Sequence, residues 1–178
     1  MNFEPILFNI NNSLEKLIDR KLIDFKYKDI TDFDELSTNQ NIDIIPLEVQ
    51  LIFENDNNIF FSWDYPENKR QYVINTFNET SFNNSNFTYN YQSKFWNDLL
   101  NKKLISFEIY GVIFKSNEEP HLIKLNFEDG KSLSIGNFHD ENDFIPKFEL
   151  GDDIWIFFNE KEVEKIINEF EFIKLNKF

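Results

Sequence analysis

The sequence predicts an α+β fold: a duplicated unit of short antiparallel β-sheet with packed helices, the two units in tandem or fused into one domain. Three observations carry this. Turn chemistry of the hairpin type recurs, most clearly at Asp129-Gly130. Apolar residues alternate with period two in several runs and follow a helical period in others. Finally, one string returns: Leu17-Ile18-Asp19-Arg20-Lys21-Leu22-Ile23-Asp24-Phe25 is echoed by Leu99-Leu100-Asn101-Lys102-Lys103-Leu104-Ile105-Ser106-Phe107. The series Pro46, Leu51, Phe53, Glu54, Ile59, Phe61 is echoed, in the same order, by Pro120, Leu125, Phe127, Glu128, Leu133, Ile135. The expected units are residues 1–90, ending in an Asn/Ser-rich linker, and residues 91–178.

In the first unit Asn12 and Glu15 cap a predicted helix carrying Leu14, Leu17, Ile18 and Leu22. After the basic pair and a strand, a long acidic connection runs from Asp29 to Asp43. Val49, Leu51 and Phe53 mark the inner face of the next strand, 54–58 its turn, and Ile59 and Phe61 the return. Residues 75–90, rich in Asn, Ser and Thr, read as a linker or long exposed loop. In the second unit Ser93 caps a short helix stacking Trp96, Leu99 and Leu100. Phe107, Ile109 and Ile113 then alternate along a strand, Ile123, Leu125 and Phe127 along its partner, and Leu133 and Ile135 along the return. After an acidic loop, Ile154-Trp155-Ile156-Phe157-Phe158 is apolar on both faces, as in a central or doubly covered strand. Asn159 and Glu162 cap a last helix with Val163, Ile166, Ile167 and Phe170 on one stripe. Twenty-two phenylalanines, and no alanine, weight the chain toward sheet.

Composition narrows function by exclusion. The 178 residues carry 32 acidic and 18 basic side chains, a formal charge of -14 at pH 7. Such a surface repels a phosphate backbone, so no direct nucleic-acid partner is expected, whereas its field would draw in a basic protein. Cysteine is absent, which removes disulfides, thiolate metal sites and a cysteine nucleophile; two histidines do not make a multi-histidine metal centre. No phosphate-cradling glycine loop, serine elbow or zinc-protease helix occurs. The chain is therefore read as no enzyme, with no catalytic residue, metal or cofactor assigned. With no cationic leader and no apolar run long enough to span a bilayer, it is expected to be cytoplasmic and off the membrane.

Each candidate residue also has a plainer role. His139 with Asp140, Glu141 and Asp143 has the makings of an acid–base or metal cluster, but an acidic solvated loop explains it as well. His121, at a strand start, reads as a hydrogen-bonded histidine near the core. Asp32, Asp34 and Glu35 lack the mid-loop glycine and terminal glutamate of a calcium loop. The candidate partner-binding residues are Trp63, Asp64 and Tyr65, an aromatic patch among acids, with Asp140, Glu141, Asp143, Asp152 and Asp153 supplying complementary field. The plainer role for Trp63 is to finish the core.

The leucine helix running into a strand, the hairpin Phe127-Glu128-Asp129-Gly130-Lys131-Ser132-Leu133-Ser134-Ile135-Gly136 and the acids ahead of Ile154-Trp155-Ile156-Phe157-Phe158 together resemble small acidic immunity proteins of bacterial polymorphic-toxin systems. The resemblance covers mainly the C-terminal half. It implies stoichiometric binding and neutralisation of a cognate, basic toxin, and assigns no binding residue. The alternative is a bacterial scaffold, regulatory or ligand-binding module without a toxin partner.

Overall fold

The computed structural model describes residues 4–28, 37–39, 41–45, 47–65, 72–79, 87–88, 94–138 and 153–175, with the backbone alone at 4–5, 37–39 and 87–88. In chain order the elements are α1 (Glu4–Glu15), β1 (Leu22–Lys28), β2 (Ser37–Asn39), β3 (Ile42–Ile45), β4 (Glu48–Phe53), β5 (Asn57–Asp64), β6 (Val73–Phe77), β7 (Phe87–Thr88), β8 (Leu104–Phe114), β9 (Asn117–Phe127), β10 (Ser132–Phe138), β11 (Asp153–Phe157), α2 (Glu160–Glu169) and β12 (Ile173–Lys174). Short 3-10 turns span Trp96–Asp98 and Glu128–Gly130. The strands form a five-stranded sheet, ordered β6-β5-β4-β1-β7, and a seven-stranded sheet, ordered β12-β8-β9-β10-β11-β3-β2. Every described pairing is antiparallel.

The α+β expectation is overturned: the protein is mainly β, with two α-helices among the described residues. Each sheet buries its inner face chiefly against the other sheet. Phe25, Leu51, Phe53 and Phe61 from one sheet and Phe107, Leu125, Phe127 and Ile156 from the other fill a single apolar cluster, to which α1 adds Ile6, Leu7, Ile10 and Leu14. This is the layered solution open to two sheets whose side chains alternate apolar and polar. The helix predicted from Asn12 onward also differs. Helix α1 ends at Glu15, a turn follows, and Leu22 already opens β1. Leu14, Leu17 and Leu22 all reach the core, but from a helix end, a turn and a strand. Their spacing reported burial and not one continuous helix. The stretch 75–90 expected as linker likewise begins inside β6, where Asn75 and Thr76 are buried.

What recurs in the two halves is a four-stranded meander, without a matching helix. In the first, Leu22 pairs with Phe53, Asp24 with Ile52 and Phe25 with Leu51, with a bulge between Leu22 and Asp24. In the second, Leu104 pairs with Phe127, Ser106 with Asn126 and Phe107 with Leu125, with a bulge between Leu104 and Ser106. The next ladders match too: Leu51 with Ile59 and Val49 with Phe61, against Leu125 with Leu133 and Ile123 with Ile135. So do Phe61 with Thr76 and Trp63 with Ile74, against Ile135 with Ile156 and Asn137 with Ile154. Left-handed residues fall in the same places, Asn55 and Asp56 in one turn, Asp129 and Gly130 in the other.

The meanders meet about an approximate two-fold at the bridge between Lys21 and Lys103. There Asp19 N–H donates to Leu104 O (2.8 Å), as Asn101 N–H does to Leu22 O (2.7 Å). Leu22 N–H donates to Lys102 O and Leu104 N–H to Arg20 O, both at 3.0 Å. Residues 1–90 also extend the other sheet, because β3 pairs with β11, Ile154 opposite Ile45 and Phe157 opposite Ile42. Strand β11 is central, as its doubly apolar sequence requires. Ile154 and Ile156 face the main core, while Trp155 and Phe157 join Leu122, Phe138, Val163 and Ile166 under α2. The Asn159 side chain caps that helix by accepting from Lys161 N–H at 3.0 Å.

Candidate functional site

Strand β5 ends at the sequence-predicted aromatic patch, and the pleat separates its members. Trp63, on the inner side, is half-buried against the main core. Asp64 faces the other way, its carboxylate accepting from Asn75 Nδ2 at 3.0 Å. Tyr65, past the strand end, is 52% exposed. Tyr72, on the way back, joins them: its ring lies 5.1 Å from Trp63, edge to face, and 5.0 Å from Tyr65. The three rings form a step from core to solvent, an arrangement that offers rigid aromatic area to a partner. Sequence reading missed Tyr72, although register alone puts it opposite Tyr65 once Asp64 pairs with Val73.

Asn137 fastens this step to the other sheet. Its Nδ2 donates to Tyr72 O at 2.9 Å, and its Oδ1 lies 3.3 Å from His121 Nδ1. With Oδ1 as acceptor, Nδ1 of the imidazole carries the proton. His121 is 1% exposed and stacks on Phe172, ring centroids 5.8 Å apart. Asn137 and Phe138 close β10, and Asp153 opens β11 opposite Phe138. Trp63 and Tyr65, through Tyr72 and Asn137, therefore lie at the same end of the sandwich as Asp153, which is distant in sequence. Asp140, Glu141, Asp143 and Asp152, with His139, lie outside the described residues. So do Asp32, Asp34 and Glu35.

Two polar groups in the interior escaped the sequence reading. Between the sheets, Tyr27 OH donates to Asp43 Oδ2 at 2.6 Å, and Trp96 Nε1 donates to Tyr27 OH. Burial raises the Asp43 carboxyl above its usual range, against the lowering effect of hydrogen bonds from Tyr27 and Trp96. The second group is a row across the outer face of the five-stranded sheet: Lys28 opposite Glu48, Glu48 opposite Ser62, Ser62 opposite Asn75. All four are buried. Burial lowers the Lys28 ammonium below its usual range, while Glu48 pulls it back up. Ser62 Oγ donates to Leu47 O at 2.9 Å. The matching row of the other sheet is Tyr110, Leu122, Gly136 and Trp155, roofed by α2. Aligning the two echoes in the sequence would have shown Glu48 standing where Leu122 does.

Tyr27, Asp43 and Trp96 thus form one hydrogen-bonded chain, and the Ser62 hydroxyl is engaged by the Leu47 carbonyl. Among the described residues no cluster of three histidine, aspartate or glutamate side chains is placed to hold a metal ion. No described helix is long and apolar enough to cross a membrane. No protein-family model, curated protein or solved structure matches the chain.

Proposed function

We propose that the chain is a non-catalytic binding protein: an immunity protein or inhibitor that neutralises a basic bacterial toxin by stoichiometric binding. The observation that carries this reading is the bond from Asn137 to Tyr72. It holds the aromatic step of Trp63, Tyr72 and Tyr65 beside the strand ends that flank residues 139–152. That stretch holds Asp140, Glu141, Asp143 and Asp152, four of the 32 acids behind the chain's net charge of -14. Aromatic anchors supply contact area at low entropic cost, and an acidic surround speeds encounter with a basic partner. The test is to immobilise the full chain, pass over it lysate of the encoding organism at moderate salt, and identify what stays. One basic protein retained one to one, with an association rate that falls as salt rises, is the expected result. Retention of nothing, with basic candidates confirmed as expressed, refutes the reading.

A further inference from the structure

Among the described residues, strands β8 and β9 pair further than β1 and β4 do. The pair Lys28 and Glu48 is the last of the first meander, whereas beyond Tyr110 and Leu122 the second continues through Val112 opposite Glu119, Ile113 opposite Glu118 and Phe114 opposite Asn117. A two-residue turn closes it, with Lys115 at φ 47° and Ser116 at φ 69°, the primed geometry that matches strand twist. A bulge between Tyr110 and Gly111 aims the extension. Glycine is required there, since a Cβ would lie 1.9 Å from Glu119 O. The tip presents apolar side chains on both faces. Ile113 is 56% exposed and shares a face with Ile173, 45% exposed and paired to Gly111; Phe114, 39% exposed, is on the other face.

Position supplies the occupant. Strands β8 and β10 both run antiparallel to β9, so β8 leaves the sheet at the same end as β10. The tip thus stands at the end where the aromatic step lies and the acidic stretch begins. We propose that the β8–β9 tip is an apolar wedge that enters a cleft of the basic protein partner, a proposal that rests on the binding function above. A second copy of the chain is disfavoured as occupant, because both would bring their acids to the contact at -14 each. An anionic lipid surface repels the same charge.

The experiment compares the full chain with the double variant Ile113→Asp, Phe114→Asp and with the control Phe8→Asp, at another exposed apolar residue. Melting temperatures check folding, and the milder pair Ile113→Ala, Phe114→Ala stands in should the aspartates unfold the chain. Calorimetric titration against the purified, identified partner is expected to show binding at least 10-fold weaker for the tip variant, unchanged stoichiometry, and no effect of the control. Equal affinity of tip variant and parent overturns the wedge and leaves the binding function standing. Absence of any basic partner overturns both. Sedimentation as a dimer, or binding to phosphatidylcholine vesicles, that the tip variant abolishes would assign the tip to another occupant and overturn the proposal.

Discussion

Phe127→Ala tests whether one core holds both sheets. Phe127 is 3% exposed and its counterpart Phe53 is 1% exposed; they face Leu104 and Leu22 across equivalent ladders, and all four share one apolar cluster. Truncating a buried phenylalanine costs about 3–5 kcal/mol, the lost transfer energy plus the cavity left behind. In a chain of this length each kcal/mol lowers the melting temperature by about 2–4 °C, so the variant should melt about 6–20 °C lower. A shared core makes a second demand. Phe53→Ala should cost about as much as Phe127→Ala, and each variant should still unfold in one transition. If the halves were separately stable, Phe127→Ala would leave one transition at the parental temperature. Scanning calorimetry, with urea titrations followed by far-ultraviolet dichroism and tryptophan fluorescence, distinguishes these cases. An unchanged melting temperature would refute the placement of Phe127. Two resolved transitions would refute the common core.

Three further perturbations probe the interior. Glu48→Leu removes the carboxylate facing a buried ammonium and should cost about 3–5 kcal/mol; adding Lys28→Tyr, which rebuilds the pair Tyr110 opposite Leu122, should recover most of it, and equal losses in single and double variants by urea unfolding would refute the electrostatic coupling of Glu48 to Lys28. Asp43 has its carboxyl raised from 3.8, so the folded state holds its proton more tightly than the unfolded one. Stability from this group is greatest at low pH and falls as pH rises from 3.8 through the raised value. The difference in unfolding free energy between the parent and Asp43→Asn should therefore change in that window, and a pH-independent difference would count against a buried titrating carboxyl. Gly111→Ala must push the Glu119 carbonyl away, at a cost of about 1–3 kcal/mol or more, and an unshifted melting temperature would contradict the bulge geometry.

Local chemistry was legible where the sequence left one solution. The turn at Asp129 and Gly130, the doubly apolar β11 and the cap at Asn159 follow from residue type and period, and each stands where expected. The architecture was not legible, because alternation shows that Phe107 and Ile109 face something and not what that is. Here it is another sheet, where helices were expected. The long connection after β1 was opaque for a related reason. Asp43 looks like one more acid in an acidic run, but pairing of β3 with β11 turns it inward to Tyr27 and Trp96. Of the candidate site, Tyr65 lies exposed, whereas the core and Tyr72 share Trp63. The bond that ties Tyr72 to β10 comes from Asn137, which carries no signal in its surrounding sequence.

The pattern of divergence between the two meanders bears on stoichiometry. Their inner faces answer to one core and have stayed alike: Phe25 matches Phe107, Leu51 matches Leu125, Phe53 matches Phe127. Outer faces and strand ends are free of that demand, and there the halves part. Trp63 occupies the position that Asn137 holds in the other copy, and the two meet at the same residue, Tyr72. Among the described residues the β8–β9 extension has no counterpart in the first meander. A protein that had kept its two-fold at this end would offer two equivalent surfaces and bind two partners. Instead the first meander carries the aromatic step and the second the apolar tip, so the two are not equivalent at this end. Under the proposed binding function one partner per chain is therefore the expected stoichiometry, and two equivalent binding events in a calorimetric titration would refute it.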